Sequence, residues 1–222
     1  MSIVTIRGQL GSGAPEIGRR IAGRLHTDYV DREIIADVAA RLQRNEGDVI
    51  EKEMPPGTLM GRIVEALTNS PMMEPYGGGA YLPADLIPLG DTRYLEALES
   101  VVRELAKSPS LVIRGRGSQF ILKDHPGSLH VLVVAPLDIR VKRVMQDLKL
   151  DEEAARRETR RFDTSRQQFA RRYFNADLED PVHYDLVINT GGLGFVAATS
   201  LTINAFRAKA RTAWRKGGAG GP

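Results

Sequence analysis

Near the amino terminus the chain reads Gly8-Gln9-Leu10-Gly11-Ser12-Gly13-Ala14-Pro15. Glycines let successive backbone N–H groups converge on one point, and such a nest at a helix start binds phosphate without any side-chain charge. The Walker A pattern is Gly, four residues, Gly, Lys, then Ser or Thr. Gly8 and Gly13 keep that spacing, but Ala14 holds the lysine position and Pro15 the hydroxyl position. The chemistry lost is specific. It is the ammonium that follows charge onto a moving phosphoryl group and the hydroxyl that holds magnesium. Anion binding by Gly8, Gly11, Ser12, Gly13 and Ala14 survives that loss. The other reading is a glycine turn that only packs a strand against a helix. Glu16 could reach a metal, although its charge repels a bare phosphate.

Three further groups are placed for ligand chemistry. Asp31 and Arg32 follow the short apolar run Tyr29-Val30. A carboxylate there can orient an acceptor hydroxyl or hold a metal through water, or simply cap a helix. Arg116 sits between glycines in Arg114-Gly115-Arg116-Gly117, directly after a buried strand, where the backbone can approach an anion closely. Arg140 and Arg143 share a helix face. Arg160, Asp163, Arg166 and Arg171 form a basic set with one carboxylate embedded; this is a solvated helix face or a lid that closes positive charge over phosphates. His26, His125, His130 and His183 have no metal-ligand spacing, and no Gly-x-Ser-x-Gly elbow appears.

The elements that must position these groups follow from periodicity. Ile3 to Ile6, Tyr29-Val30, Leu111 to Ile113, Val131 to Val134 and Leu186 to Ile188 read as short buried strands. Between them, helices are predicted from Pro15 (Ile17, Ile21 and Leu25 inward), over 32–44, from Asp91 or Thr92, over 138–148, from Asp151 to Tyr173, and from Phe195 to Trp214. Strands alternating with helices predict a parallel sheet covered on both faces, with ligands at the carboxyl edge. The segment 54–90 differs, with six prolines, the run Gly77-Gly78-Gly79 and one short helix at 59–67. It reads as an irregular excursion of the functional kind.

Composition bounds the answer. With 222 residues, 42% hydrophobic and 27% charged, the chain is one generous domain, or a domain with an inserted lid, able to bury a substantial core. No apolar run approaches the roughly 20 residues of a membrane span, and no secretion signal is read at the amino terminus. No cysteine is present, which removes disulfides and thiolate catalysis. The simplest location is the cytoplasm. A net charge of +3 is small for phosphate-driven nucleic-acid binding, which is not expected.

In order and spacing these motifs resemble the cytidylate-kinase-like family. The likeness runs from the Gly-Ser-Gly loop through Tyr29-Val30-Asp31-Arg32-Glu33, Val112 to Gly117, Ala135 to Arg143 and Asp163 to Arg166, ending at Tyr184 to Thr190. The resemblance implies an α/β P-loop kinase fold, three-layered, with a five-stranded parallel sheet, helices on both faces and a helical lid. One domain is expected over 1–214, with an acceptor-side insertion at 45–91, a lid at 149–180 and a disordered tail at 215–222. The implied activity is ATP-dependent phosphoryl transfer to a nucleoside monophosphate or similar small acceptor. The other expectation is an inactive nucleotide-binding sensor or scaffold. On this resemblance Gly8, Gly11, Ser12, Gly13, Ala14, Arg140, Arg143, Asn189 and Thr190 hold the donor. Asp31, Arg32, Arg116, Asp163 and Arg166 hold the acceptor. Asp31, Arg116 and Arg160 are the catalytic candidates, with Arg19, Arg20 or Arg160 standing in for the lysine. The cofactor is ATP with magnesium, reached through Asp31 or Glu16 rather than a dedicated protein site. The partners are nucleotides, and self-association as a homodimer is kept open. Two departures stand out: Ala14-Pro15 in the loop, and Gly117 where the family carries aspartate.

Overall fold

The computed structural model describes residues 2–31, 33–42, 44 and 91–217. Arg32, the segment 45–90 with its expected helix at 59–67, and the last five residues lie outside the described residues. Five parallel strands form one sheet in the order β2-β3-β1-β4-β5. They are β1 (Ser2–Gly8), β2 (Asp28–Val30), β3 (Ser110–Arg114), β4 (Ser128–Val134) and β5 (Leu186–Asn189). The helices are α1 (Ala14–Leu25), α2 (Glu33–Leu42), α3 (Asp91–Leu105), α4 (Ser118–Ile121), α5 (Leu137–Leu148), α6 (Glu152–Phe174) and α7 (Phe195–Gly217).

The chain divides into two compact units, residues 1–31 with 102–222 and residues 32–101. The first contains the whole sheet. In the second, Arg41 of α2 donates to Ser100 Oγ of α3 at 2.9 Å, and Ile34, Val38, Tyr94 and Leu98 are buried.

Strand alternation sorts the sheet residues into two faces. Val4, Ile6, Val112, Val131, Val133 and Ile188 pack with Ile17 and Ile21 of α1 and with Ala198, Ile203 and Phe206 of α7. The alternate set, Ile3, Leu111, Ile113 and Leu132, is equally buried. Runs of apolar residues without a polar face therefore belong to a sheet covered on both sides, as the sequence predicts. A smaller core joins α5 to α6 through Val141, Val144 and Ala155, and Leu10 of the glycine loop packs into it. Asp151 caps α6 by accepting the Ala154 N–H at 2.7 Å.

His130, on the second face of β4, is buried between hydroxyls. Thr5 Oγ1 lies 2.7 Å from Nδ1 and Ser128 Oγ 3.2 Å from Nε2. Burial holds its pKa down at about 4, against the opposing pull of Asp185. The folded state therefore binds fewer protons at this site than the unfolded chain, whose histidine titrates near 6.5. The stabilisation is complete above that value and drains away as pH falls toward 4. Thermal melts from pH 7.5 to 4.5 are expected to show a steeper loss for the wild type than for His130→Gln. Parallel profiles would contradict this account.

Candidate active site

Gly11 and Gly13 adopt left-handed φ values of 77° and 89°. Side chains are also excluded at both positions. A Cβ on Gly11 would strike the Arg140 backbone, and one on Gly13 the Phe195 ring. Side chains from α5 and the end of β5 hold the carbonyls of Leu10, Gly11 and Ser12. Arg140 Nη1 donates to Leu10 O at 3.2 Å. Arg143 Nη1 donates to Gly11 O at 3.1 Å and to Ser12 O at 3.4 Å. Thr190 Oγ1 donates to Ser12 O at 2.7 Å and receives Arg143 Nη1 at 2.9 Å. Asp163 of α6 closes the set by accepting the Leu10 N–H at 3.2 Å and Arg140 at 2.7 Å.

With the carbonyls tied back, the N–H groups of Gly11, Gly13, Ala14 and Glu16 meet no acceptor among the described residues. Ser12, fully buried, carries an Oγ without a hydrogen-bond partner. Ile17 N–H already bonds Gly13 O at 3.0 Å, so the helix starts directly at the loop. Unbonded amides at a helix start are the donors that a phosphate takes at such a loop. Arg143 adds charge. Its partners are neutral carbonyls, a hydroxyl and the face of Phe195 at 4.9 Å, with no carboxylate among the described residues, so its full positive charge sits behind the loop.

The expected site residues have the following neighbours in the structure. Arg140 and Arg143, expected on the phosphates, donate to the loop's own backbone. Asp163, assigned to the acceptor by resemblance, spends both carboxylate oxygens on Leu10 and Arg140. Thr190 serves the same scaffold. Asn189 accepts the Gly191 N–H at 2.8 Å and shapes the turn before α7. Glu16 pairs with Arg20 at 2.7 Å and Arg19 at 3.6 Å, all on the exposed side of α1. Arg160 is exposed on α6, with no ion-pair partner among the described residues.

The next edge loop is equally constrained. Gly115, Arg116 and Gly117 all have left-handed φ, at 71°, 59° and 68°. An arginine held there is a local cost that the surrounding structure must enforce. Gly115 N–H bonds Ile6 O at 3.1 Å, which fixes this turn beside the end of β1. A Cβ on Gly117 would overlap the Phe174 ring, so steric fit accounts for glycine where an aspartate is otherwise expected. Arg166 lies over the Phe162 ring at 5.2 Å. Asp31 forms an ion pair with Arg114 at the adjoining strand ends. Tyr29 beside them has its hydroxyl pKa raised, chiefly by burial.

The sequence reading missed Arg7, Gln9 and Glu179. Arg7 is buried at the end of β1 and faces Glu179 Oε1 at 3.1 Å, and Gln9 donates to Oε2 of the same carboxylate at 3.1 Å. A strand ended at Ile6 conceals it; the signal was a charged residue directly before Gly8. A separate cavity of about 360 Å³, lined by Arg103, Lys107, Phe120, Lys123 and His125, lies where β3 and β4 begin, away from the glycine loop.

The model of the cytidylate kinase-like family matches residues 3–192. A cytidylate kinase of Methanothrix thermoacetophila is 24% identical over 93% of this chain and 98% of its own. A uronate isomerase of Corynebacterium glutamicum is 33% identical over 104 residues, but the chain spans only 20% of its length. Among solved structures, a protein from Eubacterium ventriosum superposes with a TM-score of 0.64 at 18% identity, covering 93% of this chain and 99% of that one. A gluconokinase from Sinorhizobium meliloti gives 0.51 at 12%, covering 97% of each. The fold is the three-layer P-loop kinase fold.

Proposed function

This chain belongs to the cytidylate kinase-like family, and from that premise we propose that it binds a nucleoside triphosphate at the 8–14 loop and transfers a phosphoryl group to a nucleoside monophosphate or similar small acceptor. The observation that carries the reading is the loop itself. Three successive carbonyls are held by Arg140, Arg143 and Thr190, and the amides of Gly11, Gly13 and Ala14 stay free for an oxyanion. Preorganised donors cost nothing to reorient during reaction, and phosphoryl transfer draws most of its acceleration from positioning and charge neutralisation.

The phosphates fit these residues. A protein-held magnesium does not. Pro15 supplies no hydroxyl, Glu16 is engaged with Arg19 and Arg20, and Asp31 is engaged with Arg114. In this reading the metal arrives with the triphosphate. Arg143 supplies fixed charge behind the loop, and Arg116, held in its left-handed turn, serves the acceptor side.

The second reading is a nucleotide sensor without transfer, favoured by one observation: Ala14 is buried where the lysine would project. Titration with ATP and CMP, followed by a transfer assay over nucleotide acceptors, separates the two. Transfer to any monophosphate supports the kinase; tight ATP binding with no transfer to any acceptor supports the sensor.

A further inference from the structure

Arg7 occupies the penultimate position of β1, the central strand, and its side chain is only 8% exposed. It shares its strand face with Ile3 and Thr5, opposite the residues that pack on α1 and α7. A guanidinium presents five N–H donors. Among the described residues none of Arg7's donors makes a hydrogen bond, and Nη1 is fully buried without an acceptor. Its one carboxylate neighbour, Glu179 Oε1, lies 3.1 Å away but off the direction of the N–H groups. Burying a cation with unmet donors is costly unless an anion completes it.

The surroundings suit an anion. Arg7 ends at the carboxyl edge of the sheet, next to the Gly115 turn tied to Ile6 and directly before the glycine loop. Ser118 Oγ, which follows that turn, is also buried without a hydrogen-bond partner. Glu179 is different in kind. It is 41% exposed, belongs to the segment joining α6 to β5, and is steadied by Gln9. A half-exposed carboxylate can leave for water at little cost, whereas a buried guanidinium cannot.

We propose that Arg7 is the cation of an oxyanion subsite at the end of the central strand, and that Glu179 is its internal placeholder, displaced when a phosphate or carboxylate group of the ligand arrives. The subsite rests on the reading of the 8–14 loop as a nucleotide site. The anion belongs either to the donor polyphosphate or to the acceptor, and the choice of probe distinguishes them.

Calorimetric titrations with ATP, CMP and inorganic pyrophosphate are compared for wild type, Arg7→Gln, Arg7→Lys and Glu179→Gln. Arg7→Gln is expected to weaken one probe by about tenfold or more, the scale of one charge-assisted contact. Loss with ATP and pyrophosphate assigns the subsite to the donor; loss with CMP alone assigns it to the acceptor. Arg7→Lys retains part of the affinity. Glu179→Gln is expected to tighten the same probe, because the competing carboxylate is gone. A purely structural ion pair predicts the reverse, unchanged or weaker binding in Glu179→Gln, and that result overturns the proposal even if Arg7→Gln fails to fold. Wild-type-like binding by a folded Arg7→Gln overturns it too, while leaving the loop reading intact. If the wild type binds none of the three probes, both fall together.

Discussion

Arg143→Met is expected to eliminate measurable nucleotide binding and to lower the melting temperature by about 6–12 °C, for a loss of roughly 3 kcal/mol. Methionine keeps the apolar stem but removes every donor. Gly11 O, Ser12 O and Thr190 O then lose their shared partner, and Phe195 loses the cation over its ring. The consequence goes beyond stability. Unheld carbonyls can rotate inward, and each that does replaces a phosphate donor with an acceptor. Arg143 also carries the fixed charge behind the loop. Calorimetry with ATP and a thermal melt measure both effects. Binding within threefold of wild type would show that the loop does not depend on being tied from behind.

Ala14→Lys combined with Pro15→Ser is expected to raise ATP affinity about tenfold, or roughly 1.4 kcal/mol. The change restores an ammonium beside the phosphates, a hydroxyl for magnesium and the N–H that proline lacks. Ala14 is buried beside Gly8, so the new stem must leave over the loop to reach the phosphates. The same variant divides the two functional readings. If transfer appears only in the double variant, the natural chain is a binding module; if transfer is already present and merely quickens, it is an enzyme. Unchanged affinity would mean that the loop does not face phosphates.

Much of this fold was legible in the sequence. Short β-branched runs stopping at Gly8, Arg114 and Asn189 mark strand ends, and apolar residues every three or four positions mark the helices between them. These signals are local, and local geometry produced them. The four-residue α4 was not legible, since a single turn has no period to detect. The site was legible in its parts but not in its assignments. The sequence shows that Arg140, Arg143, Asp163 and Thr190 are suited to bind oxyanions and backbone groups. It does not show whether their partners are ligand phosphates or the carbonyls of residues 10–12, because both demand the same donors. Only the tertiary approach of α5 and α6 to the loop decides that. Arg7 escaped for a related reason, since a buried charge in a strand gains its meaning from Glu179, far along the chain.

The central claim is that the inner amides of the 8–14 loop receive the phosphates of a nucleotide. The most direct test is a two-dimensional amide NMR titration of the ¹⁵N-labelled protein with ATP. Saturable shifts are predicted for the Gly11, Gly13 and Ala14 N–H signals, with Leu10 N–H, already held by Asp163, moving least within the loop. Saturable binding that moves signals elsewhere and leaves Gly11 and Gly13 in place would contradict it.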